Sequence, residues 1–195
     1  MAETPSTMLT LGTRAPGFRL PNCNPDAGGA VVALEDYAGA PALLVAFICN
    51  HCPYVVHLRD ALCDFAREFA AQGLATVAVS ANDAERYPDD APEKMTAHAK
   101  RYKFPFAYLY DAEQGVAKAY RAACTPDFFL FDGEGALVYR GRFDGSTPGN
   151  NVALSGGDMR AAVESVLAGR KPAAEQLPSL GCSIKWKTGN EPDYF

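Results

Sequence analysis

The chain has 195 residues, 48 % hydrophobic and 21 % charged, with a formal net charge of −5. This is the make-up of one well-buried globular domain and is short for two. An acidic balance without a basic patch speaks against a nucleic acid or a membrane as partner, and the longest apolar run, Ala42 to Cys49, is too short to cross a bilayer. The opening Met1-Ala-Glu-Thr-Pro-Ser-Thr has no basic stretch followed by an apolar one, so no signal peptide is expected and a cytoplasmic location is. Six cysteines, at 23, 49, 52, 63, 124 and 182, are too scattered for a secreted disulfide framework. In a reducing compartment they would be buried thiols plus one or two redox-active groups.

Residues 1–40 carry breaker clusters, with short strands expected between them at Phe18–Leu20 and Val31–Leu34. The first core strand is expected over Ala42–Ile48. The helix after it shows Val55, Leu58, Leu62, Phe65 and Phe69 at helical spacing and stops near Gln72-Gly73. Leu74–Ser80 reads as a second buried strand, Glu93–Tyr102 as a helix, Phe106–Tyr110 as a third strand and Gln114–Arg121 as a short helix. Phe128–Phe131 and Leu137–Arg142 flank Asp132-Gly133-Glu134-Gly135, a hairpin signal. Asp158–Leu167 reads as the last helix. Early strand–helix alternation implies parallel pairing and the late hairpin an antiparallel part, so a mixed sheet is expected. Residues 1–177 read as one domain and 178–195 as an irregular tail packed on or near it.

Chemistry concentrates at Cys49-Asn50-His51-Cys52-Pro53, where a buried strand turns into an amphipathic helix. A helix N-terminus offers unpaired N–H groups and partial positive charge, which favour a thiolate over a thiol. Pro53 suits the first helical turn, where its missing N–H costs nothing. His51 adds a second potential cation beside the sulfur, or is a solvent-facing loop residue. Cys49, Cys52 and His51 are also metal-ligand types, but nothing in the sequence completes four ligands, so no metal and no cofactor are expected. His57 reads as a boundary residue of its helix, His98 as a surface residue, and Cys23 and Cys63 as structural thiols.

The segment Leu44–Val55 resembles the active-site segment of the thioredoxin-like redoxins, which include the alkyl hydroperoxide reductase/thiol-specific antioxidant group. Cys124-Thr125-Pro126-Asp127 resembles the step before a strand of that fold whose proline is cis and faces the active-site cysteine. Gly12-x-x-Ala15-Pro16-x-Phe18-x-Leu20 resembles the redoxin opening. The ending Gly181-Cys182-Ser183-Ile184-Lys185-Trp186-Lys187, with Glu191–Phe195, is similar to that of a bacterial subfamily with an Asn-His-Cys-Pro active site. The resemblance implies an α/β thioredoxin-like fold: a central mixed β-sheet flanked by helices, with an N-terminal β extension. An ungapped match places Cys52, not Cys49, at the nucleophile's position, with Val55 where a second cysteine usually stands.

The resulting expectation is a thiol–disulfide oxidoreductase with Cys52 as nucleophile and Cys49 as first choice to resolve the mixed disulfide, Cys124 or Cys182 standing behind it. His51 and Pro53 would tune the sulfur, and Thr125 and Pro126 would shape the substrate groove. Expected partners are protein or small-molecule disulfides and a thiol reductant such as a thioredoxin system. Two other readings stay open: a thiol peroxidase and a non-catalytic redoxin that serves as a binding module. The peroxiredoxin motif P-x-x-x-T-x-x-C is matched only in part, since Val45 and Cys49 stand at its Pro and Thr positions and no Arg precedes Phe128. Donors that would polarise a peroxide are therefore missing from the expected places.

Overall fold

The computed structural model describes residues 3–194. The chain opens with three short strands, β1 (Glu3–Pro5), β2 (Arg19–Pro21) and β3 (Val31–Ala33), and then enters the core strand β4 (Ala42–Phe47). Helix α1 (Pro53–Ala70) leads to β5 (Leu74–Ser80), α2 (Pro92–Tyr102), β6 (Ala107–Tyr110) and the short α3 (Gly115–Ala119). The two-residue β7 (Cys124–Thr125) precedes the hairpin β8 (Asp127–Asp132) and β9 (Leu137–Gly141), then α4 (Gly157–Leu167) and β10 (Leu180–Ser183).

The central sheet has five strands in the order β6-β5-β4-β8-β9. Strands β4, β5 and β6 pair in parallel, whereas β8 lies antiparallel to both β4 and β9, so the sheet is mixed as the pattern predicts. Both of its faces are covered. Along β4, Ala42, Leu44 and Ala46 join the core beneath α1, α2 and α4, while Leu43, Val45 and Phe47 join the core on the α3 side. Strand side chains alternate between faces, so a strand covered on both sides is apolar throughout. This accounts for the uninterrupted run of Ala42–Ile48. Helix α1 turns Val55, Leu58, Leu62, Phe65 and Phe69 inward, the full stripe read from the spacing. Each such side chain contributes roughly 2–3 kcal/mol by leaving water.

Residues 178–195 are not irregular throughout, contrary to the sequence expectation. β10 is the middle strand of a second, antiparallel sheet, β1-β10-β7, in which Cys182 faces Thr125 on one side and Glu3 on the other. Gly181 makes this possible, because a Cβ there would stand 2.1 Å from the Thr125 carbonyl oxygen. Such an approach is open only to glycine. Beyond β10, Ile184 and Trp186 are buried in the α3-side core. Strands of two to four residues without periodicity leave no hydrophobic pattern to read, which is why β1, β7 and β10 escape the sequence. No helix among the described residues is long and apolar enough to cross a membrane.

Candidate active site

Cys52 is the N-cap residue of α1 and Pro53 its first helical residue, so β4 delivers the sulfur to the open end of the helix. The thiol of Cys52 donates to the Thr125 carbonyl at 3.0 Å, and the Cys49 sulfur lies 3.4 Å from the Thr125 hydroxyl. Thr125–Pro126 is cis, as the resemblance implies. Since Cys182 pairs with Thr125 across the small sheet, one residue of β7 touches or faces three thiols. The structure thus brings Cys49, Cys52, Thr125, Pro126 and Cys182 together. Cys52 and Cys49 are fully buried, and the Cys182 residue is 3 % exposed. Thr125 of the small sheet packs against both sulfurs, and that sheet is tied to α1 by a Tyr54 hydroxyl that donates to the Glu3 carboxylate.

These neighbours separate the acidities of the thiols. The Cys52 thiol is held well below the ordinary cysteine range, first by a hydrogen bond from Cys49 and then by the Val55 N–H, Cys182 and Thr125, which together outweigh burial. Cys49 is held up, first by that same bond to Cys52 and then by burial. Cys182 is pushed up to about 12 by burial and by its bond to Cys52. Burial pushes Cys23 up to about 11 and Cys63 to about 12, the latter against the weaker attraction of Arg67 and Arg59. A hydrogen bond that favours the charged form lowers an acid's pKa, and loss of water raises it. Cys52 alone combines the helix end with several donors.

His51 does not face this sulfur as its principal partner. Its Nδ1 is 2.8 Å from the Asp90 carboxylate, and that bond raises its pKa, with a smaller contribution from attraction to Cys52. Asp90 is fully buried and also accepts from the Asn50 N–H at 2.8 Å and the Asn82 side chain at 2.7 Å. Asn82 in turn accepts the Lys185 N–H at 2.8 Å, so one carboxylate ties the Cys49–Cys52 loop to the tail. The sequence reading missed Asp90, whose one signal is an adjacent Asp pair in a proline-rich loop. Cys49, His51 and Asp90 offer ligand atoms within 4.8 Å of one another, a set suited to a divalent cation such as zinc. However, Asp90 and the His51 Nδ1 are already engaged with each other and with Asn50 and Asn82.

Cys124 is buried next to Thr125, but its thiol points to the Pro126 carbonyl at 3.5 Å, and burial holds its pKa up. His98 is half-buried at the surface rather than fully exposed. It packs on Tyr102 and Phe104, and burial pushes its pKa down to about 4. His57 is half-buried, with Nε2 2.8 Å from the Ser146 hydroxyl.

With this geometry in view, the comparisons give the family. The profile of the AhpC/TSA family matches residues 11–140. The chain belongs to the AhpC/TSA family. A hypothetical protein from Sinorhizobium meliloti 1021 is 52 % identical over 95 % of this chain and all of its own, with a TM-score of 0.91. An uncharacterized conserved protein from Geobacillus kaustophilus is 47 % identical over 96 % of this chain and 97 % of its own, with a TM-score of 0.92. The thioredoxin domain of a thiol-disulfide oxidoreductase from Bacteroides vulgatus shares the fold at 22 % identity and a TM-score of 0.56, over 68 % of this chain and 88 % of its own. No curated protein matches the chain. The fold of this AhpC/TSA protein is thus thioredoxin-like.

Proposed function

We propose that this AhpC/TSA protein is a thiol–disulfide oxidoreductase in which Cys52 is the nucleophile. The observation that carries the reading is the Cys52 sulfur at the head of α1, its acidity raised by donors from Cys49, Val55 and Cys182. The Cys52 thiolate attacks one sulfur of a disulfide, the S–S bond breaks, and the departing thiolate takes up a proton. A second protein thiol then attacks Cys52 and expels the other half, so two electrons pass to the substrate and the protein is left with a disulfide. A low-pKa thiolate also makes that disulfide a good oxidant. A thiol reductant such as a thioredoxin system would regenerate the dithiol in a cytoplasmic setting, and the chain would fall in the bacterial Asn-His-Cys-Pro subfamily.

Cys49 is our resolving thiol, because it stands three residues before Cys52 and both sulfurs meet on Thr125, at 3.4 Å and 3.0 Å. The entropy of ordering the tail, which would count against Cys182, does not apply, since β10 is already in place opposite Thr125. The test is a mild-disulfide challenge followed by mass spectrometry of cysteine pairs. Cys49→Ser is expected to accumulate a mixed disulfide on Cys52, while Cys182→Ser turns over nearly normally. The reverse result would transfer the resolving role to Cys182.

Membership of the AhpC/TSA family favours a second reading, thiol peroxidase. Against it stands the make-up of the site, where Thr125-Pro126-Asp127 occupies the place at which an arginine would be needed. Loss of the Cys52 thiol in hydrogen peroxide at rates far above a free thiolate would decide for the peroxidase. An ordinary Cys52 acidity without turnover would instead leave a binding module.

A further inference from the structure

A cleft of about 270 Å³ opens between walls of Tyr54, Leu58, Pro126, Phe143 and Leu180, with no cysteine in its lining. Its position ties it to the reactive sulfur. Tyr54 follows Cys52 by two residues, Leu180 precedes Cys182 by two, and Pro126 follows the carbonyl that accepts the Cys52 thiol. The volume holds roughly ten non-hydrogen atoms, which is small even for a ligand pocket. A peptide strand therefore fits it poorly.

Beside the apolar walls the lining holds three hydroxyl residues, Ser146, Thr147 and Ser179, with one cation and one carboxylate. Arg142 lines the cleft and donates through Nε to Asp158 at 2.5 Å. The rest of the guanidinium lies over Gly145, where an added Cβ would be 3.6–3.7 Å from Nη1, Cζ and Nη2. Among the described residues, Nη1 and Nη2 have no hydrogen-bond partner. The one acidic residue in the lining, Asp144, uses its two oxygens on the N–H groups of Ser146, Ser155 and Gly156. A trough that has Tyr54 and Pro126, near neighbours in sequence of Cys52 and Thr125, in its wall thus carries one side of an arginine fork, the geometry that receives a carboxylate.

We propose that this cleft seats a small aliphatic thiol or disulfide bearing a carboxylate, its sulfur at Pro126 beside Cys52 and its carboxylate on Arg142. The inference rests on the thiol–disulfide reading above and adds the substrate class. With a dithiol of this class and the oxidised protein, one ligand thiolate attacks Cys52, the protein disulfide breaks, and the resolving thiol leaves protonated. The second ligand thiolate then attacks its own sulfur bound to Cys52. A cyclic disulfide departs, the Cys52 thiolate is released, and two electrons have moved from ligand to protein.

The test uses two matched pairs of probes on the full chain. Octanoate and octanamide have the same length, do not react, and differ in charge. Octanoate is expected to slow iodoacetamide alkylation of Cys52 and octanamide to have little effect. The oxidised protein should react about tenfold faster with dihydrolipoate than with dihydrolipoamide at low probe concentration, the scale of one charge-assisted bond. Arg142→Gln should bring that ratio to about one, and Arg142→Lys should retain part of it. If octanoate and octanamide act alike on the wild-type protein, the cleft assignment is overturned, whether or not the variants fold. If octanoate protects but neither dithiol reduces the protein, the thiol–disulfide reading fails while the anion-binding cleft stands.

Discussion

The five-stranded sheet and the three-stranded sheet of this protein are built on opposite terms. The larger one is held by side chains: β4, β5 and β8 are buried on both faces, and Phe47, Phe128, Phe129 and Phe131 interdigitate there with almost no exposure. The smaller one is held by main-chain approach, with β10 pressed against Thr125 through Gly181 and pinned by the Tyr54–Glu3 bond. The first needs only apolar residues of fitting size, whereas the second depends on single atoms at single positions. Cys52, the nucleophile we propose, lies where they meet, at the head of α1 after β4 and against Thr125 of β7. A redox site that must stay dry yet admit a substrate is well served by such a division.

The comparison can be broken at either sheet. The largest effect is expected from Phe65→Ala, which empties a fully buried position under α1 and should lower stability by about 3–5 kcal/mol. Urea unfolding should show it as a global, cooperative loss. A smaller and local effect is expected from Gly181→Ala. The new methyl must push β10 off Thr125, costing about 1–3 kcal/mol. Hydrogen exchange should then quicken in β1, β7 and β10 but not in β4 and β5, and Cys52 should be alkylated faster. Uniform quickening in both sheets would contradict the division drawn above.

A third test sharpens the picture of the larger sheet. Asp127 begins β8 fully buried, and burial pushes its pKa up to about 8, with the Ala123 and Phe128 N–H groups opposing. The folded protein therefore holds a proton that the unfolded chain releases near the ordinary carboxylate pKa. Between about pH 4 and pH 8 this proton makes stability fall as pH rises, by at most roughly 1.4 kcal/mol per pH unit. Asp127→Asn should remove that slope and leave the variant the more stable protein above pH 8. Stability curves of equal slope for the two proteins would refute the assignment.

The smallest effect concerns His51. Asp90 raises its pKa, so Asp90→Asn should bring the imidazole back toward its ordinary value, read by NMR titration. The stabilisation from that pair is complete below the unfolded pKa and is lost as pH rises through the raised folded value. The variant's deficit should accordingly shrink in alkaline solution.

What the sequence tells about these two sheets follows the same divide. The inner face of α1 and the runs of β4 and β5 repeat their signal over many residues, so periodicity finds them within a residue or two. Cys52-Pro53 is legible because a helix start constrains residue type locally. Asp90 is not, since its role arises only when a loop folds back on Asn50 and His51. The direction of His51 is equally hidden: the pattern sets it beside Cys52, and the structure turns it to a carboxylate. Cys182 is hidden because a four-residue strand leaves no period, and its partner Thr125 lies far away in the chain.

Because β10 follows β9 and α4 in the chain, the order of synthesis also orders events at the site. A ribosome that has released the chain through β9 has delivered the five strands of the main sheet and the whole of α1, and with them a Cys52 already at its helix end. The strand that carries Cys182 opposite Thr125 has not yet been made. For this interval Cys52 lacks the Cys182 donor, and it is the pairing of β10 with β7 that completes the site.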